Sequence, residues 1–453
     1  MRLLGKLCSL AVTFVLLAGI AATQVTPEEA ATLKTTLTPM GAERAGNKEG
    51  TIPPWTGGYT DTKAIVPHQK RPDFFASEKP LFTVNSKNMA QYVDKLTDGV
   101  QAMLKKYPDS LYIEVYPSHR TAAYPQFLYD NTFKNATRAK EASGPQGIYA
   151  AGAVGGIPFP IPKNGSQVMF NTITAYRGVD VDTDVHHYTA SADGKLVLIG
   201  NCYAVFDYPW YYPEMSAEKV KVIFQLRSLM YGPPIRAGEG VMASMGWDDE
   251  HSEAYTYLPG QRRTRKLPNQ CCDTPTPMAA GLVMWDENAI WGNTHFERFD
   301  WKLLGKKEVL IPYNSNKTAL PPKDTDVLLQ HHMNPKWIRW ELHRCWVVEA
   351  TLKQGYRHAA RRRLYYVDED SWLPVMNDSW DSSGRLWRSN WAVVKLAPDI
   401  KCVENFQYVV HDLTSGVYVA NFLSNESTRH LQAIPRMPAS SWTSAALASS
   451  GVR

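Results

Sequence analysis

The strongest constraint on the fold is a series of short segments whose apolar residues recur at every second position, joined by tight polar turns. Leu111, Ile113 and Val115 alternate with Tyr112, Glu114 and Tyr116. Val222, Phe224, Leu226 and Met230 alternate with Gln225 and Arg227, and Val241, Ala243, Met245 and Trp247 run to a turn at Asp248-Asp249-Glu250. The chain returns over residues 253–258 with Tyr255 and Tyr257 on one face. A second meander covers residues 362–367, 372–380 and 385–394, with turns at Asp368-Glu369-Asp370 and Asp381-Ser382-Ser383-Gly384. A period of two is the pleat of a half-buried strand, and turns this short cannot carry the crossover that parallel strands need. An antiparallel β protein is therefore predicted, not a chain of βαβ units. The 14 Trp and 23 Tyr suit strands and supply broad apolar walls, which serve a plain core as well as a surface that grips a ligand.

The N-terminus reads as an export signal. Arg2 and Lys6 precede an apolar run from Leu10 to Ala22, closed by the small residues Gly19, Ala21, Ala22 and Thr23. The run is shorter than the roughly 20 residues of a spanning helix and has no basic stop-transfer flank, so residues 1–24 are expected to be cleaved. No later stretch approaches spanning length, which places the processed chain in the periplasm as a soluble protein. The formal charge of +5 includes Arg2 and Lys6, leaving +3 after processing, too little to suggest nucleic acid.

Residues 25–80 read as a helix and an extended arm. Thr26, Pro27 and Glu29 form a capping-box start, and residues 38–80 are rich in Pro, Gly, Lys and Asp without periodicity. Ser86 is expected to cap a second helix, in which Met89, Val93, Leu96, Val100, Met103 and Leu104 make one apolar face before Pro108 ends it. The segment GPQGIYAAGAVGGIPFPIPKNG, residues 144–165, is an apolar loop that is either packed or a lid over a cavity. Residues 81–435 then form one β domain, and residues 436–453, rich in Ser, Ala and Pro, a mobile tail.

Catalytic signatures are few. GxSxG, HExxH and GxxxxGK[ST] are absent, and the GxGxxA string at Gly238, Gly240 and Ala243 follows Pro233-Pro234 and precedes a strand, which excludes a dinucleotide loop. His331, His332, Glu341 and His343 have no spacing that makes a metal site, so no metal or cofactor is expected. The acidic turns read as solvated Asx-type turns, and a carboxylate pair for glycoside hydrolysis cannot be placed from sequence. Five cysteines lie beyond the signal, Cys202, Cys271, Cys272, Cys345 and Cys402; neighbours such as Cys271 and Cys272 rarely bond each other, so each is expected to pair elsewhere or stay free. The basic runs Arg262-Arg263-Thr264-Arg265-Lys266 and Arg361-Arg362-Arg363 read as solvated sheet faces or protected edges. The alternative is a docking rim, with Arg262, Arg263, Arg265 and Lys266 meeting an acidic partner or head group.

Several long motifs resemble those of one exported bacterial family, domain of unknown function 1329. They are GGIPFPIPKNG (155–165) followed by Tyr176-Arg177-Gly178, YTYLPGQRRTRKLPN (255–269), FDWKLLGKKEVLIPYN (299–314) and RLYYVDEDSWLPVMNDSWDSSGRLWR (363–388). Cys271-Cys272 stands where that family more often has an aromatic residue before Asp-Thr-Pro. The resemblance implies a fold of the LolA/LolB lipoprotein-sorting type: mainly β, a strongly curved antiparallel sheet left open as a half-barrel, with helices and loops as a lid. It also implies an apolar cavity suited to acyl chains, and a place beside RND-type exporters and outer-membrane proteins. The expected function is a non-enzymatic periplasmic carrier of a lipid or other apolar molecule. An exporter adaptor and a hydrolase on lipid or glycan are the alternatives. The residues expected to face the ligand are Ile157, Phe159, Phe224, Leu226, Met230, Val241, Met242, Met245, Tyr255 and Tyr257.

Overall fold

In the computed structural model, which describes residues 25–451 apart from 145–146, 248–249, 268–270 and 291–294, the period-two segments join one sixteen-stranded sheet. The expected export signal, residues 1–24, lies outside the described residues. In chain order the strands are β1 (Phe82–Val84), β2 (Ile113–Val115), β3 (Lys140–Gly144), β4 (Gly147–Ala151), β5 (Asp180–Ala190), β6 (Leu196–Asp207), β7 (Val222–Gly232), β8 (Gly240–Gly246), β9 (Glu253–Leu258) and β10 (Arg263–Lys266). They continue as β11 (Phe299–Pro312), β12 (Trp340–Leu352), β13 (Arg362–Asp368), β14 (Pro374–Trp380), β15 (Leu386–Ala392), β16 (Lys395–Ala397), β17 (Cys402–Glu404), β18 (Tyr408–Asp412), β19 (Tyr418–Leu423) and β20 (Gln432–Ala433). Strands β3–β4 and β16–β17 are separate hairpins.

Two sequential meanders build the sheet. One runs β5 to β10, the other β11 to β15 and on through β18 and β19. They are sewn together where β19 pairs antiparallel with β5, from Tyr418↔Ala190 to Leu423↔His186. Every pairing is antiparallel except the single parallel contact Trp340↔Val115. Register shifts interrupt seven pairings, each a point at which an extra residue bends the strand. Among the described residues β10 pairs only with β9 and β11 only with β12, so the sheet stays open. The expected class, a strongly curved and mainly antiparallel sheet left unclosed, is the one the chain adopts.

The helices differ more from expectation. Helix α1 (Pro27–Ala31) starts with the capping box at Thr26 and Glu29. The second helix does not begin at Ser86: residues Met89–Lys95 form a 3-10 turn, Leu96 is extended, and Thr97 caps α2 (Asp98–Lys106). The Gly99 N–H donates to Asp378 of β14 at 2.8 Å, and a Cβ on Gly99 would lie 2.1 Å from that carboxylate. Docking the helix N-terminus on a buried carboxylate fixes where the helix starts, and the apolar face of Val100, Met103 and Leu104 survives the break.

Helices α3 (Gln126–Arg138) and α4 (Gly165–Ile173) carry no apolar stripe visible in the sequence. Residues 167–173 of α4 are buried on every side, and such a helix has no polar face to produce a period. It lies against β11 and β12 with Phe170 at 4.3 Å from Phe296, 5.6 Å from Trp247 and 6.0 Å from Phe159 (ring centroids). The glycine- and proline-rich loop packs beside it as core. Asn171 of α4 bonds both backbone groups of Phe159, Asn135 of α3 donates to the carbonyls of Val154 and Ile157, and Trp210 donates to Gly156 at 3.1 Å. The segment read as a tail carries α5 (Ser444–Gly451). Its small residues let it lie close on the sheet, where Leu447 packs on Met242 and Tyr257, and Arg227 donates to the Ser441 and Ala446 carbonyls.

Candidate functional site

The ten residues expected to face a ligand divide between two faces of the sheet. Cross-strand partners share a face, so the pairs Phe224↔Met245, Leu226↔Ala243 and Ser228↔Val241 define one side. Phe224, Leu226, Met230, Val241, Met245, Ile157 and Phe159 sit in the main core. Met242 and its partner Tyr255, with Tyr257, belong to the opposite face beneath α5. None of the ten lines a described cavity.

The cavity that could hold an apolar molecule lies to one side, with a volume of about 950 Å³. Helix α3 supplies Phe127 and Asn131, the packed loop supplies Val154, and the connection after β6 supplies Tyr211, Met215 and Ala217. Gly152 and Gly155 adopt φ of 77° and 66°, and at Gly155 a Cβ would lie 2.6 Å from the Asn131 amide. Glycine there lets the backbone itself form the wall. Phe127, Tyr176 and Tyr211 meet edge to face at 5.1–6.4 Å, and Phe127 is 38% exposed, high for a phenylalanine.

A smaller space of about 250 Å³ adjoins the first across Tyr212, Met215 and Arg436, and is lined beyond them by Lys219, Lys221 and Trp442. The partition is built from charges. Arg436 lies 3.4 Å over the Tyr212 ring and pairs with Glu214. The Tyr212 hydroxyl donates to Asp207 and stands 3.5 Å from Asp180, the cross-strand partner of Asp207. Burial, then the neighbouring Asp180 charge, pushes the Asp207 carboxyl up to about 7. An acid whose folded pKa exceeds its ordinary value stabilises the fold below that value, and the contribution is lost as pH rises from about 4 to about 7. Asp207→Asn should therefore unfold like the wild type near pH 3, below the ordinary carboxyl pKa, but be more stable at pH 8, by at least about 1 kcal/mol. Urea unfolding of both proteins at the two pH values measures this, and equal differences at both would refute the assignment.

Two features expected in solvent contain buried charges. Asp368, Glu369 and Asp370 are each under 5% exposed. Arg120 holds Asp370 through two bonds of 2.6 and 2.8 Å, while Arg344 and Lys306 bind Glu369 at 2.6 and 2.7 Å. His343 lies 3.2 Å from Glu341 and 3.5 Å from Asp368. Burial alone would depress its pKa, but the bonds to Asp368 and Glu341 prevail and raise it to about 9, so the imidazolium is a member of an ion network. The turn is buried because the arm crosses it: Arg120 also donates to the Glu43 carbonyl and Arg344 to that of Ala45. In the run 361–363 Arg361 is exposed and Arg362 half-buried, but Arg363 is 1% exposed and holds Asp286 at 2.6 and 3.0 Å. Burial would raise the Asp286 carboxyl, yet Arg363 and His358 hold it at about 2.

Cys271 and Cys272 are bonded to each other, contrary to expectation, because Cys202, Cys345 and Cys402 lie buried and free on β6, β12 and β17. Among the described residues two groups have metal-ligand proximity: Cys271, Cys272 and His295, and His343, Asp368 and Asp370. In the first the sulfurs bond each other; in the second Arg120 and a protonated His343 already supply the positive charge. Arg262, Arg263, Arg265 and Lys266 stand exposed at the β10 edge, where Lys266 pairs with Glu253 at 3.3 Å.

The sequence matches the family described as "Protein of unknown function (DUF1329)" over residues 83–448. The chain belongs to the DUF1329 family. This DUF1329 protein is 37% identical over 450 residues to an uncharacterized protein of Pseudomonas aeruginosa, PA3922, covering 97% of this chain and 98% of that one. Among solved structures it is similar to a DUF1329 family protein from Desulfovibrio piger, with TM-score 0.43 and 13% identity over 62% of this chain and 97% of that one. It is also similar to a putative outer membrane lipoprotein-sorting protein domain from Vibrio parahaemolyticus, with TM-score 0.43 and 10% identity over 63% and 98% of the two chains. A LolA superfamily protein from Nitrosomonas europaea gives TM-score 0.37 and 10% identity over 62% and 98%. No described helix is long and apolar enough to cross a membrane.

Proposed function

We propose that this DUF1329 protein is an exported, non-enzymatic carrier of an apolar molecule such as an acyl chain, held in the lateral cavity instead of the concave face. The observation that carries the reading is the cavity itself: about 950 Å³, walled by Phe127, Val154, Tyr211, Met215 and Ala217. That volume is at the upper end of the range for small-molecule sites, about 300–1,000 Å³. Burial against such walls contributes roughly 25 cal/mol per Å² of apolar surface before ordering costs. Export is supported by the basic and apolar pattern between Arg2 and Ala22. Asp180 and Asp207 are the convergent carboxyls a hydrolase would need, but Tyr212 and Arg436 cover them and the cavity continues behind. The carrier reading accounts for the space, whereas hydrolysis leaves it unexplained.

The test begins with native mass spectrometry and organic extraction of the full chain purified from its own cells, followed by titration with a fluorescent fatty acid. A stoichiometric apolar adduct is expected, with saturable probe binding. Ala217→Trp, which places a large side chain in the cavity from a half-buried loop position, should weaken binding at least tenfold while leaving the unfolding midpoint within the range of surface variants. An apo mass together with no saturable binding, or unchanged binding by Ala217→Trp, would overturn the assignment.

A further inference from the structure

Away from the lateral cavity, four basic residues converge where the arm crosses the sheet. Lys70 and Arg71 of the arm, Lys395 of β16 and His430 face one pocket of about 50 Å³, with Asn316 and Gln407 also in its wall. Lys395 is the unusual member. It is only 9% exposed, and among the described residues its ammonium has neither a hydrogen-bond acceptor nor an ion-pair partner. Its cross-strand neighbour Glu404 accepts from the Phe406 N–H at 2.7 Å. The other nearby carboxylate, Asp399, is taken by Arg71 through bonds of 2.6 and 2.8 Å. Lys70 reaches only the Pro321 carbonyl, at 3.3 Å. Gln407 is 2% exposed, and its amide Nε2 finds no partner.

A buried ammonium with no hydrogen-bonded acceptor is costly even with a carboxylate such as Glu404 nearby, and a buried amide donor without an acceptor costs about 1–3 kcal/mol. Both groups open on the same small pocket, whose wall carries three cationic side chains, Lys70, Arg71 and Lys395, against the one carboxylate of Glu404. Burial lowers the Lys395 pKa against the attraction of Glu404, while burial and then Lys70, Arg71 and Lys395 hold His430 at about 4. We propose that this pocket binds a small oxyanion of the phosphate class, either free or as the terminal group of a larger molecule, with Lys395 as its buried anchor and Lys70 and Arg71 at its mouth. Its volume is room for a few water molecules, which suits a tetrahedral anion and excludes a nucleotide. Arg71 keeps Asp399 and offers the anion its charge, whereas the Lys395 ammonium gains acceptors it does not otherwise have.

The experiment is titration of the full chain with inorganic phosphate, read by calorimetry and thermal unfolding, against sodium chloride at matched ionic strength. Phosphate should bind saturably and raise the midpoint where chloride does not, and the His430 imidazole, followed by NMR, should titrate at higher pH in phosphate. Lys395→Met keeps the apolar stem and removes the charge, so it should fold and lose at least tenfold in phosphate affinity. Should that variant not accumulate, Lys70→Met at the half-exposed mouth provides the second reading, with a loss of at least threefold. A glycerol phosphate arm distinguishes the source: a monoester binding as tightly as phosphate marks a head group, and phosphate alone marks a free anion. Equal responses to phosphate and chloride, or phosphate binding unchanged in both variants, would overturn the proposal.

Discussion

Arg120→Ala is expected to lower the unfolding free energy by about 3–5 kcal/mol, because it removes one partner of a buried ion pair and leaves the other uncompensated. Arg120 is 6% exposed, donates to both Asp370 oxygens at 2.6 and 2.8 Å, and lies 3.5 Å from Glu369. It also donates to the Glu43 carbonyl at 2.7 Å, so its loss strands Asp370, while Glu369 keeps Arg344 and Lys306, and releases the arm. Trp372 ties the same arm through its indole N–H to the Met40 carbonyl at 2.8 Å. Urea unfolding of the full chain measures the cost, and limited proteolysis within residues 40–55 reports release of the arm. Arg120→Lys should recover little, since an ammonium cannot reproduce the two-pronged contact. Arg262→Ala, an exposed arginine at the β10 edge, should stay within about 0.5 kcal/mol of the wild type. A loss below about 1 kcal/mol for Arg120→Ala would show that the network is not what holds the arm.

Phe170→Ala should cost about 3–5 kcal/mol, the range for deleting a large aromatic side chain from a packed core. Phe170 is 0% exposed and stacks on Phe296 at 4.3 Å, with Trp247 and Phe159 around it. The result discriminates between two pictures of the concave side. If α4 plugs a solid core, truncation costs the full amount whether or not a ligand is present. If the concave side were the carrier's cavity, truncation would enlarge it at small cost and strengthen fatty-acid binding. Unfolding of Phe170→Ala with and without the fluorescent fatty acid separates these outcomes.

The strands were legible in the sequence because their apolar residues recur at every second position, the period of the pleat. Val222 to Met230 and Val241 to Met245 read as strands and are strands. Helix α1 was legible from its capping box, a purely local signal. Helix α4 was not, since its burial on all sides erases the period, and α3 was hidden by the polar residues Asn131, Thr132 and Asn135 that hold the buried loop. The ligand-facing set mixed two faces because alternation distinguishes faces without saying which one is covered, or by what. Only the placement of α5 shows that Met242 and Tyr257 sit beneath a helix while Val241 and Met245 face the core.

The acidic turn shows the same limit for charge. Asp368-Glu369-Asp370 has the composition of a solvated turn, and its burial depends on Arg120, Glu43 and Lys306, which come from distant parts of the chain. The lateral cavity and the Lys395 pocket are equally non-local, each assembled from segments more than 200 residues apart in sequence. By itself the sequence determined the class of the protein: an antiparallel β chain belonging to the DUF1329 family. Those properties follow from the strand period, short turns and contiguous motifs, all of which are local. Tertiary structure alone decided which face of β7 and β8 packs into the main core, that the lateral space lies beside α3, and which charges are buried. Cavities and ion networks are differences between surfaces that meet only after β19 has paired with β5, and no local pattern records that meeting.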